Sequence, residues 1–417
     1  MNTGVSISPC ARRTRPRRAR PSVAITWNPK SAGTPIAYNG PSVKRLRIGV
    51  LHGGRSGEHE VSIASAAAVF ANLDRTRYEP VAIRIEKDGR WVLADRPPTA
   101  ASAADVISQM READGPSGGR EVLMPARPGD DTLLLVNQDR SAVTGLGLDV
   151  IFPVLHGPYG EDGTVQGLLD LANVAYVGCG VLASATGMDK DVAKTLVQAR
   201  GLRVAPWVVV RAAQWNADRD AVARRVNDTL TYPVFVKPAN LGSSLGISKV
   251  QTPDGLGAAI DLAAGFDPKV VVETGVTGAR EIECGVLGND APEASVPGEI
   301  VPSGEFYDFD AKYLSGASRE VIPAELPRAI ADEVRRQSLV AFDAIEGTGL
   351  ARVDFLLASS GELFLNEINT MPGFTTISMY AKLWAASGVT YPALIDRLVA
   401  LALERHARQQ QRRISAF

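Results

Sequence analysis

The chain is poor in cysteine, has no long apolar run, and carries no acidic residue in its first 45 positions. Its three cysteines, Cys10, Cys179 and Cys284, are scattered and odd in number. They point to neither a disulfide framework nor a zinc cluster and fit a reducing cytoplasm. No stretch approaches the ~20 apolar residues that a membrane-crossing helix requires, so no membrane insertion is expected. At 417 residues the chain is too long for a single core, and two or three domains are expected. Hydrophobic content of 45% with 22% charged residues is ordinary for a globular protein.

The missing acids matter because they hide an asymmetry. Residues 1–45 hold Arg12, Arg13, Arg15, Arg17, Arg18, Arg20, Lys30, Lys44 and Arg45, a charge of +9. Taking that from the net −1 leaves −10 for residues 46–417. An acidic body argues against general nucleic-acid binding by the folded part. The extension is rich in Pro, Ser and Arg without hydrophobic periodicity, so it is expected to be disordered. An Arg-rich, acid-free leader fits an organellar transit peptide, a non-homologous leader or a misplaced start equally well.

What the chain does have is centred on Leu350–Gly373, LARVDFLLASSGELFLNEINTMPG. Alternating apolar and polar residues on either side of a Ser-Ser-Gly turn predict a β-hairpin. Side chains two apart in a strand share a face. Arg352 and Asp354 therefore lie together on one strand, Glu367 and Asn369 together on the other. Two carboxylates and an amide oxygen suit Mg²⁺ or Mn²⁺ with room for substrate phosphates. A solvated sheet face with ordinary charge pairs is the competing reading of this stretch.

The fold is expected to begin at Leu46, where a buried strand runs into His52-Gly53-Gly54-Arg55-Ser56-Gly57-Glu58-His59-Glu60 and then a helix to Leu73. Strand, glycine loop, helix opens a doubly wound α/β domain, whose ligands sit at the carboxyl ends of the strands. A further strand over Val81–Glu86 is expected. Residues 97–147, rich in small residues and proline, are expected to be surface insertions. A second strand–loop–helix unit follows at Asp149–Leu171, a helix at Met188–Arg200 stopped by Gly201, and a strand at Val204–Val210. The strand Thr231–Pro238 places Lys237 before the loop Asn240–Gly246. Backbone N–H groups and hydroxyls in such a loop can donate to phosphates while the ammonium balances charge. Further strands end at Glu273 and begin at Glu281. The long polar and aromatic segment Pro302–Ser315 has the character of a lid. A closing helix from Pro392 buries Leu394, Ile395, Leu398, Leu401 and Ala402.

In order along the chain stand HGGRSGEHEVS (52–62), HGPYGEDG (156–163), MDK (188–190), VKPANLGSSLG (236–246), FYDFDAKY (306–313), RVDF (352–355) and NEINTMPGFT (366–375). Through these motifs residues 46 to about 405 closely resemble the D-alanine–D-alanine ligases, ATP-grasp enzymes of peptidoglycan synthesis. The resemblance implies an α/β (α+β) architecture: an N-terminal doubly wound parallel-sheet domain, then a two-lobed ATP-grasp fold over about 190–403. The expected divisions are 1–45, 46–171, 172–256 and 257–417.

It also implies roles. Lys190 and Lys237 match lysines that neutralise phosphate charge. Ser244, Tyr307 and Lys312 fall among the ATP-contacting residues, and Glu273 and Glu281 sit where adenine and ribose are contacted. Asp354, Glu367 and Asn369 match ligands of two Mg²⁺ or Mn²⁺ ions, and Arg352 matches the arginine that stabilises an oxyanion. Glu60 matches the carboxylate that holds the ammonium of the first D-alanine. Glu60, Ser243 and Tyr313 match a hydrogen-bonded triad that closes the site. His156 resembles the motif histidine near the first substrate, and Gly373, Ser378 and Met379 match the donors around the second carboxylate. The implied partners are ATP and two molecules of D-alanine, with neither nucleic acid nor membrane. A homodimer in the cytoplasm is implied too. Thr274 departs from the lysine that often follows the glutamate equivalent to Glu273. The weighed alternatives are a D-alanine–D-lactate ligase, an inactive ATP-grasp binding or regulatory protein, and a different ATP-grasp enzyme. Lys312-Tyr313, the intact metal and oxyanion set and the Glu60 motif argue against them in turn.

Overall fold

β1, Leu46–Gly53, is an almost continuous apolar run, and in the computed structural model Ile48, Val50 and Leu51 are fully buried. Burial on both faces is what a central parallel strand requires. The structure describes residues 44–112, 119–129, 132–136, 143–242, 244–301 and 319–412. All but Lys44 and Arg45 of the expected basic extension, and the whole lid segment Pro302–Ser315, lie outside the described residues.

The remaining strands of the first sheet are β2 (Tyr78–Ile85), β3 (Trp91–Ala94), β4 (Gly119–Leu123), β5 (Leu133–Val136), β6 (Val143–Leu146), β7 (Val150–Pro153) and β8 (Ala175–Tyr176). Their order is β6-β5-β4-β3-β2-β1-β7-β8. β2, β1, β7 and β8 are parallel, and β3 to β6 extend the sheet antiparallel. Residues 97–147 are thus not mere surface insertions: β4, β5 and β6 lie within them, along with the helix Ala103–Glu112. The signal was short but present, because Leu133 and Leu135, two apart, are buried while Leu134 between them is not.

A second sheet, order β11-β10-β12-β9, is wholly antiparallel and contains β9 (Trp207–Arg211), β10 (Val234–Pro238), β11 (Ser248–Val250) and β12 (Lys269–Thr274). The expected helix Met188–Arg200 runs from Lys190 to Ala199, and a separate helix, Val181–Met188, precedes it. Asp189 divides them because its side chain accepts from the Asp191 and Val192 N–H groups, a helix-starting cap. That break sets Lys190 at the first position of the second helix.

The third sheet holds β13 (Arg280–Gly288), β14 (Glu293–Ala294), β15 (Gly298–Val301), β16 (Arg319–Val321), β17 (Gly349–Leu357) and β18 (Leu363–Asn369). Its main path is β16-β15-β13-β17-β18. The last two strands form the expected hairpin, turning at Gly361 in a left-handed conformation. Helices Met379–Ala386 and Tyr391–Gln410 close the chain. Leu394, Ile395, Leu398 and Ala402 are buried as expected, and Leu401 is only partly so. Their core is shared with β1, β7 and the helix His59–Asn72. Tyr78 Oη donates to Asp396 at 2.7 Å across that contact. The C-terminal helices therefore anchor the third sheet directly to the first.

Candidate active site

Arg352 pairs with Asn369 and Asp354 with Glu367 across the hairpin, and the register shifts just after Asp354. Such an irregularity re-aims the neighbouring side chains. Arg352 donates from Nε and Nη2 to the two oxygens of Asp354, at 2.7 and 2.6 Å. Its Nε also lies 3.1 Å from Glu283 on β13, the residue facing Asp354 across the β13–β17 pair. Asn369 Nδ2 donates to Asp354 Oδ2 at 2.9 Å, leaving the amide oxygen for another partner. Burial alone would lower the Arg352 pKa, but Asp354 and Glu283 outweigh it and raise the value. Arg352, given a role separate from the metal-type residues by the resemblance, lies against them, as the shared strand face predicts. It is bonded to one of them.

On one side of the hairpin is a cavity of about 490 Å³, within the usual range for small-molecule sites. Lys190, Lys237, Ser244, Glu273, Glu281 and Glu367 line it. Lys190 Nζ donates to Leu241 O at 2.6 Å, so the lysine reaches the base of the glycine loop. Ser244 adopts φ +59°, a left-handed turn conformation, inside that loop. Glu273 is almost wholly buried and is gripped by Lys194 at 2.8 Å and by Lys237. Burial opposes its charge, yet the two ammonium groups prevail and hold its carboxyl down at about 2. Its side chain is held by the two lysines while it still lines the cavity. Burial lowers the Lys190 pKa, whereas Glu273 outweighs burial at Lys237 and raises it.

On the other side a smaller cavity is lined by Glu58, His156, Glu161, Arg352, Asp354 and the segment Met371–Met379 except Phe374 and Thr376. Glu281, Asn366, Glu367 and Gly242 border both cavities. Glu60 borders neither. It is held at 2.7 Å by Lys87, whose hydrogen bond overcomes burial and lowers its pKa. The helix starts at His59, so Glu60 lies in its first turn while Glu58 is the non-helical residue before it. Glu58 is the motif glutamate that faces the site. A side chain at Gly242 would place its first carbon 3.1 Å from Glu58 Oε2, so this glycine lets the loop approach the carboxylate closely. Glu161 accepts from Gly157 N–H at 2.9 Å, and burial, with Glu58 beside it, pushes its carboxyl up to about 8.

His156 has both ring nitrogens engaged, Nδ1 with Met371 O at 3.1 Å and Nε2 with Ser65 Oγ at 3.0 Å. Gly373 packs so closely on Ser378 that an added carbon would lie 2.9 Å from its Oγ. Ser378 Oγ accepts from Thr375 N–H at 2.9 Å, and Met379 begins the next helix. Ser243, Tyr307, Lys312 and Tyr313 lie outside the described residues.

Residues 47–179 match the family described as "D-ala D-ala ligase N-terminus", and residues 196–400 match "D-ala D-ala ligase C-terminus". A D-alanine–D-alanine ligase of Paenarthrobacter aurescens is 49% identical over 88% of this chain and 98% of its own length. One from Streptomyces coelicolor is 48% identical over 86% and 93%. The chain belongs to the D-alanine–D-alanine ligase family. Among solved structures, the D-alanine–D-alanine ligase of Coxiella burnetii superposes with a TM-score of 0.74 at 35% identity, over 88% of this chain and 96% of that one. The VanG D-Ala:D-Ser ligase of Enterococcus faecalis gives 0.75 at 33%, over 86% and 100%.

Among the described residues no three His, Cys, Asp or Glu side chains cluster as a self-contained metal cage. Asp354, Glu367 and the Asn369 amide oxygen nonetheless fit a family member's hard cation. Mg²⁺ is usually held by one or two carboxylates with substrate phosphates completing its shell. Sequence reasoning missed Glu58, Glu161, Glu283, Lys194 and Ser65. For Glu58 the deciding feature is the helix start at His59, which the motif alone does not fix. For Lys194 and Glu283 no signal existed, because their partners come from other strands.

Proposed function

We propose that this ligase of the D-alanine–D-alanine family joins two D-alanine molecules, with ATP cleaved to ADP and phosphate. The observation that carries the reading is the shared wall. Glu281, Asn366 and Glu367 border both the glycine-loop cavity and the cavity of Glu58 and Arg352. A nucleotide in the first and an amino acid in the second would meet over the hairpin.

In this reading the ammonium of the first D-alanine pairs with Glu58, and its carboxylate takes the γ-phosphoryl group of ATP to give an acyl phosphate. Lys190 and Lys237 balance charge on the moving phosphoryl group, with Glu273 and Lys194 fixing Lys237 in place. Asp354, Glu367 and Asn369 would hold Mg²⁺ or Mn²⁺, which when bound neutralises phosphate oxygens. The amine of the second D-alanine, its carboxylate held by the Gly373–Met379 segment, then attacks the acyl carbon. Arg352 stabilises the oxyanion that develops there, and phosphate leaves. Any cation on Asp354 competes with Arg352, and Glu283 supplies the guanidinium with a second anchor. Ser243, Tyr307, Lys312 and Tyr313 complete the ATP contacts and the closure in this proposal. Divisions near residues 171 and 256, a homodimer and a cytoplasmic location belong to it as well.

The test is phosphate release with ATP, Mg²⁺ and D-alanine, alone and beside D-serine or D-lactate as acceptor. Turnover with D-alanine alone supports the reading. Activity only with another acceptor would refute the second-substrate assignment.

A further inference from the structure

We propose that Ser65 is a positioning residue for the loop Met371–Met379, acting through the imidazole of His156. The inference rests on the placement of the second amino acid on that loop. Ser65 lies on the helix His59–Asn72 and is wholly buried, and His156, at the edge of the amino-acid cavity, is only 5% exposed. The roles along the chain follow from donor and acceptor capacity. Met371 O only accepts, so His156 Nδ1, 3.1 Å away, carries the proton. Nε2 of the neutral ring is then an acceptor, and Ser65 Oγ at 3.0 Å must spend its single proton there. Phe374 N–H donates to the same hydroxyl oxygen at 3.2 Å. The relay is Phe374 N–H to Ser65 O–H to His156 Nε2, and His156 Nδ1–H to Met371 O.

It thus leaves the loop at one backbone group and returns to it at another. The ring is neutral in ordinary buffer because burial drives its pKa down to about 4. Phe374 is fixed from the other side as well. Its carbonyl accepts from Tyr391 Oη, and its ring meets Phe152 and Tyr380 at centroid distances of 5.7 Å. The next residue, Thr375, holds Ser378 Oγ, and Ser378 borders the amino-acid cavity. Ser65 therefore ties an N-terminal helix to the segment that receives the acceptor, without touching substrate itself. Removing its hydroxyl leaves Phe374 N–H and His156 Nε2 without a partner, or lets the ring change tautomer and release Met371 O.

The first measurement uses the wild-type chain, with nitrogen NMR on protein labelled at histidine and His156 assigned by its loss in H156Q. An Nδ1–H tautomer is expected, and an Nε2–H tautomer overturns the relay. The second is steady-state kinetics of S65A, H156Q and the double variant, with folding checked by thermal melting. The KM for the second D-alanine should rise roughly tenfold while that for ATP stays within about twofold. The double variant should be no worse than the worse single one, because both break one chain. Additive losses, or a defect confined to ATP, would overturn the proposal. The tautomer is read without substrate, so its outcome stands even if the acceptor proves to bind elsewhere.

Discussion

Arg352 and Asp354, two residues apart on β17, form a two-pronged ion pair, with Nε to Oδ1 at 2.7 Å and Nη2 to Oδ2 at 2.6 Å. The pair couples the group expected at the oxyanion to a group expected at a cation. Replacing Asp354 with Asn should therefore cost more than a metal ligand. It frees Arg352 to collapse onto Glu283, and kcat should fall by roughly a thousandfold or more. Titration of activity with Mg²⁺ and Mn²⁺ checks it, and near-normal kcat at saturating metal would remove Asp354 from the metal role. Chelation should abolish wild-type turnover, with recovery on adding either ion back.

The two glutamates of the first motif should separate cleanly. Glu58→Gln should raise the KM for the first D-alanine by roughly a hundredfold, since a buried charge pair with an ammonium is lost. Glu60→Gln should stay within about threefold, because that side chain is paired with the largely exposed Lys87 outside the cavity. The reverse ranking in D-alanine saturation curves would restore Glu60 to the site.

This pair also shows how much was legible in the sequence. The hairpin and the glycine loop were readable because alternation and turn residues are local signals, whereas the register shift after Asp354 was not. The assignment between Glu58 and Glu60 was not, since it turns on where the helix starts. Glu273, expected at adenine or ribose, also grips Lys194 and Lys237. That grip was invisible because Lys194 is distant in sequence and reaches it from the side of a helix. The strands within residues 97–147 were missed because each shows only one or two alternations.

Glu273→Gln should leave Lys194 buried without its carboxylate partner, and Lys237 with only the more distant Glu367 and Glu281. A loss on the order of 3–5 kcal/mol is expected from breaking such a pair. Urea unfolding monitored by circular dichroism checks the stability, and the KM for ATP should rise in parallel. An unchanged midpoint would mean that the lysines find another partner.

Acid should weaken the fold through its buried histidines. His52 and His156 are pushed down from 6.5 to about 4 by burial. Below pH 6.5 the unfolded chain takes up protons that the folded chain refuses until about 4. Their stabilisation is complete above the higher value and is lost as the pH falls through that window, roughly 3 kcal/mol for each ring. Glu161, pushed up to about 8, acts in the opposite sense, so the check is the difference between wild type and H156Q. The variant should show the shallower decline between neutral pH and about 4.5, and identical slopes would contradict the buried neutral ring.

The central claim is that one site over the hairpin brings the γ-phosphate of ATP to the carboxylate of an amino acid. It is tested most directly by supplying D-alanine labelled with heavy oxygen in its carboxylate and following the label during turnover with ATP. The account predicts that one labelled oxygen per dipeptide appears in inorganic phosphate, as an acyl phosphate requires. Dipeptide formed with no label in phosphate would contradict it.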